Sequence, residues 1–240
     1  MQFLGKVILN CIMSITSENL VNWIYLEKVD YSKGLSSQRE IHKMVSSGKY
    51  KGFLLLVEHK PVITIGRFGD ESNILISKEE AKRRGIEIWK IERGGDVTFH
   101  GPGQLVGYPI IKLRDFKLGV RSYICLLEET LIGVLGKFGI SGERIKDHTG
   151  VWVGREKIAA IGVYVKNGIT MHGFALNVNT DLSYFSFIVP CGISNMGVTS
   201  MKEILGKEIP LGKLAVAFTE EFGERFQTNM SLAIESIELT

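Results

Sequence analysis

"RGGDVTFHGPGQLVGYPI", residues 93–110, sets five glycines and two prolines inside an otherwise strand-like run. Glycine weakens a strand unless the chain turns tightly there or another group comes close to its backbone. The stretch has neither GxGxxG nor GxxxxGK[ST] spacing, so it does not fit a phosphate cradle of glycine amides. Two readings remain. One is a Gly-Pro-Gly turn between two strands. The other is a backbone-lined groove for an elongated ligand, with Arg93, Thr98, His100 and Gln104 as its polar groups.

The flanking sequence supplies the rest of the fold. "FLLLVEH" (53–59) and "VITIGR" (62–67) read as strands joined around Pro61, and "IEIWKIER" (86–93) as a partly buried strand. Ser77 followed by Glu80 predicts a capping box, and Gly85 a stop for that short helix. Over 122–139, Ile124, Leu127, Leu131, Val134, Leu135 and Phe138 recur at helical spacing. Leu211, Leu214, Phe218, Phe222 and Phe226 make a second apolar helix face. Asn167-Gly168, between two apolar runs, predicts a type I′ hairpin, whose central residues both need positive φ. Strict βα alternation is absent. The expected class is therefore α/β (α+β), a mixed sheet packed by helices. The expected organisation is an N-terminal extension over 1–25 and a single domain over 26–240, with Met13 as an alternative start.

At 240 residues one core suffices, and the net charge of +3 is too small to suggest a nucleic-acid binder, which needs clustered Lys and Arg. The three cysteines, Cys11, Cys125 and Cys191, are odd in number and far apart. That argues against a disulfide framework or a zinc site and for a reducing cytoplasm. No signal peptide and no membrane-length apolar run is read.

The candidate chemistry lies in "VPCGISNMGVTS" (189–200). Cysteine is most often a small buried hydrophobe, which suits Cys11 and Cys125 in their apolar runs. A Pro-Cys-Gly loop instead suits a presented thiol, so Cys191 is the candidate nucleophile. A thiol acting near neutral pH needs a neighbouring cation to stabilise its thiolate. Lys157, opening "KIAAIGVYV", is a candidate for that role or a solvated strand-end charge. His172 is a candidate base or a satisfied core histidine.

Taken together, "HKPVITIGR" (59–67), "RGGDVTFHGPGQLVGYPI", "REKIAAIGV" (155–163), "HGFALNVNTDL" (172–182) and "VPCGISNMGVTSM" (189–201) resemble the lipoyl(octanoyl) transferases. The resemblance covers most of residues 50–201. It implies a fold similar to the catalytic domain of biotin protein ligases and lipoate ligases. It also implies a catalytic pair, Cys191 and Lys157, and an acyl-substrate site made of Arg93, Gly94, Gly95, Asp96, Val97, Thr98, Phe99 and His100, of Ala160, Ile161 and Gly162, and of Gly173, Phe174 and Ala175. The implied reaction takes an octanoyl group from octanoyl-acyl carrier protein, through a Cys191 thioester, to a lysine of apo lipoyl domains. Those domains belong to 2-oxoacid dehydrogenases and the glycine cleavage H protein. No metal, cofactor, nucleic acid or membrane is implied. The competing readings are an ATP-dependent lipoate or biotin ligase, which would not need Cys191, and a catalytically dead binding protein. A cysteine hydrolase using His172 and Asn177 is a further one. On the transferase reading the small residues leave room for the acyl chain, so leucine at Gly173 or Ala160 is expected to shorten the chain accepted.

Overall fold

The computed structural model describes residues 20–189 and 197–233. Strands β1 (Leu20–Val29) and β2 (Gly52–His59) pair in parallel, so the chain must cross over between them. Helix α1 (Tyr31–Ser46) makes that crossing. Strand β1 starts at Leu20 and runs through position 25, where the extension was expected to end.

Beyond β2 the large sheet continues antiparallel through β6 (Gln104–Ile111), β10 (Ile169–Asn177), β9 (Glu156–Lys166), β8 (His148–Val153) and β7 (Glu143–Ile145). Strand β12 (Asn229–Leu232) adds in parallel at the free edge of β1, and β11 (Gly197–Val198) pairs in parallel with β9. A separate small sheet sets β3 (Val62–Ile65) between a parallel β4 (Glu87–Lys90) and an antiparallel β5 (Val97–His100). The expected mixed sheet is thus present as two sheets.

Strand β2 shows why the large sheet is covered on both faces. Its residues alternate sides. Leu54 and Leu56 meet helices α3 (Val120–Lys137) and α5 (Leu211–Arg225) through Leu127, Leu131, Phe218 and Phe222. Phe53, Leu55 and Val57 meet Ile41 and Val45 of α1. A strand buried on both faces reads as an unbroken apolar run, which "FLLLV" is. Burying each such side chain is worth about 1.5–3 kcal/mol. On α3, Tyr123 takes a core position, while Ile124 and Phe138 are only half-buried against it. Cys125 is half-buried too, rather than in the core.

The local signals act as their chemistry predicts. Of the expected capping box, the Ser77 half is present: Ser77 Oγ accepts the Glu80 N–H (3.1 Å) at the start of α2 (Lys78–Arg83), while the Glu80 carboxylate takes Arg83 and Arg84; Gly85 at φ +66° ends the helix. Asn167 and Gly168, at φ +54° and +75°, turn β9 into β10. Among the described residues no helix is long and apolar enough to cross a membrane.

Candidate active site

Between the two sheets lies a slot of about 230 Å³. That is roughly the liquid volume of eight waters, and so of a slender chain of about that many heavy atoms. Its floor is the β9/β10 ladder, where Ala160 pairs with Ala175 and Gly162 with Gly173. Paired residues on antiparallel strands share a face. Four small residues therefore line up, and at the two glycines neighbouring backbone already comes close: a Cβ on Gly162 would lie 2.9 Å from Gly94 O. The opposite wall comes from the 93–98 segment leading into β5.

Arg93 fixes that wall. Its side chain is buried, donating from Nε and Nη2 to Thr64 Oγ1 (3.2 and 2.9 Å), from Nη2 to Thr64 O (2.6 Å) and from Nη1 to Gly94 O (3.0 Å). The Gly94 N–H donates to Val163 O (2.9 Å), tying the small sheet to the large one. Asp96 accepts from the Asp70 N–H (3.1 Å) and from Asn73 Nδ2 (2.6 Å). Gly95 sits at φ +85°, a conformation open to glycine at little cost.

At one end of the slot stands Lys157. Its Nζ lies 4.7 Å from the centre of the Trp152 ring, a cation–π distance. Its carbonyl accepts the Thr199 N–H (3.1 Å), just after β11 pairs Val198 with Lys157. Asp147, His148 and Thr149 line this end as well.

The other end gathers neutral polar groups beside the Arg93 guanidinium. His59 Nδ1 lies 3.2 Å from Val29 O, which can only accept, so Nδ1 carries the proton. His59 Nε2 then accepts from the Tyr108 hydroxyl (2.7 Å). Gln104 Nε2 donates to Phe99 O (3.2 Å) and Asn177 Oδ1 (2.9 Å), which leaves its Oε1 to accept from His100 Nδ1 (2.8 Å). Burial lowers the pKa of His59 to about 4, opposed by its bond to Val29 O, and burial together with the neighbouring His59 lowers that of His100 to about 3, opposed by its bond to Gln104. For His172 burial lowers it to about 4, and the Glu92 carboxylate opposes this. All three imidazoles are neutral at pH 7. His172 Nε2 lies 3.9 Å from Glu92 Oε2, too far for a hydrogen bond and, with the ring neutral, not an ion pair.

Of the residues expected from sequence, Arg93, Asp96, Val97, Thr98 and His100 line the slot with Gly95, as do Ala160 to Gly162 and Gly173 to Ala175. Two do not. Gly94 is taken up by its bond to Val163, and Phe99 turns into the core of the small sheet, where its ring stacks on Tyr184 at 4.6 Å. Alternation along β5 requires this, since Thr98 and Phe99 face opposite ways. The glycines of 93–110 largely serve the protein's own packing. A Cβ on Gly107 would lie 2.1 Å from the Phe174 ring, and one on Gly103 2.6 Å from the Asn179 backbone. Cys191 lies outside the described residues. Asn177, donating to Thr199 O (3.1 Å) and accepting from Gln104, is a scaffold group. Tyr31, Val106, Tyr108 and residues 147–149 at the start of β8 line the slot without having been singled out. Tyr108 stood inside the opening stretch, whereas nothing around Tyr31 marked it.

The leucine expectation divides. A Cβ on Gly173 would lie 2.3 Å from Gly107 O, a backbone atom that cannot swing away. Gly173→Leu is therefore expected to destabilise by at least ~1–3 kcal/mol. Ala160→Leu should keep the fold and shift preference toward shorter acyl chains. Melting temperature and chain-length profile, measured on the same samples, check both.

A two-sheet α/β core with an apolar-floored slot and one lysine at its end defines a catalytic domain of the lipoate- and biotin-ligase type. The chain belongs to the lipoyl protein ligase A/B catalytic domain family, whose model matches residues 30–223. It is 47% identical over 213 residues to the octanoyltransferase of Caldicellulosiruptor saccharolyticus, covering 86% of this chain and 91% of that one. It is 50% identical over 187 residues to that of Alkaliphilus metalliredigens, covering 78% and 86%. The fold is similar to lipoate-protein ligase A bound with ATP (TM-score 0.72, 17% identity, 89% of both chains). It is also similar to biotin protein ligase from Aquifex aeolicus in complex with biotin and ATP (TM-score 0.55, 15% identity, 86% of this chain and 70% of that one).

Proposed function

We propose that this protein transfers an octanoyl group from octanoyl-acyl carrier protein to the ε-amine of a lysine on apo lipoyl domains. Cys191 thiolate attacks the thioester carbonyl and the carrier's thiol leaves, so one thioester replaces another and no ATP is consumed. The acceptor amine then attacks the Cys191 thioester. An amide forms, the C–S bond breaks, and the amine's proton ends on the departing sulfur. Lys157 stabilises the thiolate and relays that proton.

The observation that carries this reading is the placement of Lys157. It stands at the end of a slot of acyl-chain size, on the strand where the polypeptide rejoins the sheet after the Cys191 segment. The 44–50% identical octanoyltransferases support the reaction class. The acceptors are the lipoyl domains of 2-oxoacid dehydrogenases and the glycine cleavage H protein, met in a reducing cytoplasm. The acyl site comprises the slot-lining members of 93–100, 160–162 and 173–175.

The test is intact-mass measurement after incubation with octanoyl-acyl carrier protein, followed by addition of apo lipoyl domain. Wild type and Cys125→Ala should gain an octanoyl adduct that the lipoyl domain discharges. Cys191→Ser should transfer nothing to the lipoyl domain. Turnover of free octanoate with ATP, undiminished by Cys191→Ser, would instead identify a ligase.

A further inference from the structure

We propose that His172 is the partition at the tail end of the slot and sets the longest acyl chain the protein accepts. This rests on the acyl-transfer reading above. The slot follows the β9/β10 ladder from Lys157, past Ala160–Ala175 and Gly162–Gly173, to His172, which pairs with Val163. An acyl group whose carbonyl sits by Lys157 therefore points its methyl end at His172. A second, outward-facing recess of about 430 Å³ is lined by Leu35, Arg39, Trp89 and Glu92, the last of which faces the imidazole. His172 Nε2 approaches that recess, 3.9 Å from the half-exposed Glu92 carboxylate.

His172 is also held at a cost that packing alone does not explain. It sits at φ +56°, a left-handed conformation that few residues other than glycine adopt. Its side chain is buried, and Nε2 has no hydrogen-bond partner among the described residues. Its backbone N–H is clamped by Gln38 Oε1 (2.9 Å), and the Nε2 of that buried amide likewise has no partner among the described residues. The ring sets its edge against Tyr108, 6.4 Å between centres. Backbone strain and an unpaired buried nitrogen in one residue are found where position matters more than stability. The position here is the last residue of the slot floor, facing Glu92 of the neighbouring recess.

The experiment measures transfer from hexanoyl- through dodecanoyl-carrier protein by wild type, His172→Gly and His172→Asn, with melting temperatures on the same samples. Glycine adopts φ +56° freely and asparagine is the next best suited, so each opens the wall while easing the backbone. His172→Gly should raise the decanoyl-to-octanoyl rate ratio roughly ten-fold, the value of two further buried methylenes. His172→Asn should fall between it and wild type. Folded variants that keep the wild-type profile would overturn the partition while leaving octanoyl transfer standing. Unfolding of both would also overturn it, by making His172 a structural residue. Failure of the wild type to take octanoyl at all would sink the proposed function, and the partition with it.

Discussion

Lys157→Ala is expected to slow octanoyl transfer by ~10²–10⁴-fold, the range for losing a positioned proton-transfer group. The fall should appear mainly in acylation of Cys191 and little in affinity for the acyl chain. On the proposed reading an ammonium at the end of the slot would act on sulfur and on the proton in flight, whereas the acyl chain would lie along the slot lined by Ala160, Gly162 and Ala175. Without the cation the thiolate is less favoured, so the Cys191 pKa should rise. Iodoacetamide reactivity against pH measures it. Lys157→Arg keeps the charge and a stack on Trp152 but cannot give up its proton. It should restore the thiol pKa without restoring the rate. An unchanged thiol pKa in Lys157→Ala would reduce the lysine to a partner of Trp152, worth about 0.5–2 kcal/mol of stability and no chemistry.

Acidification from pH 7 to 5 is expected to remove several kcal/mol of stability, well above the pH at which carboxylates titrate. Three buried histidines cause it. His59, His100 and His172 have folded pKa values of about 4, 3 and 4, against about 6.5 in an unfolded chain. Between those limits the unfolded state binds the extra protons. Stability is therefore complete above about pH 6.5 and falls as the pH drops toward the folded values, by up to ~1.4 kcal/mol per pH unit for each histidine. Between pH 7 and 5 the three rings share the loss about equally, because all three folded values lie below that range; the penalty between His59 and His100, 6.1 Å apart centre to centre, extends the loss to lower pH. Urea midpoints from pH 7 to 5 should slope steeply for wild type and less so for His59→Gln with His100→Gln. Equal slopes would show that the rings protonate without opening the fold.

How much of this could be read from the chain depends on the range of the interaction. The Asn167-Gly168 turn, the Ser77 cap, the α3 and α5 faces and the burial of β2 all rest on residues within a few positions of one another. Periodicity and φ preference suffice for them. The motif segments also carried most of the slot's lining, because the small residues Ala160, Gly162, Gly173 and Ala175 stand where strand sequence would otherwise be bulky. Which way each residue faces was decided by pairing. Phe99 left the site and Thr98 entered it through alternation along β5. Gly107 and Gly103 proved to be spacers for Phe174 and Asn179, groups about seventy residues away in the chain. Tyr31 and Leu35 reach the slot region and the recess beside it only because α1 crosses between parallel strands and lies beside the small sheet. His172 shows the division most sharply. Its sequence context, "MHGFALNV", is that of an ordinary buried strand residue. Its positive φ, its ring nitrogen without a partner among the described residues and its place between the slot and Glu92 exist only once β6, β9 and α1 have closed around it. Local chemistry determined which elements form. Long-range packing determined which of their atoms face an empty space.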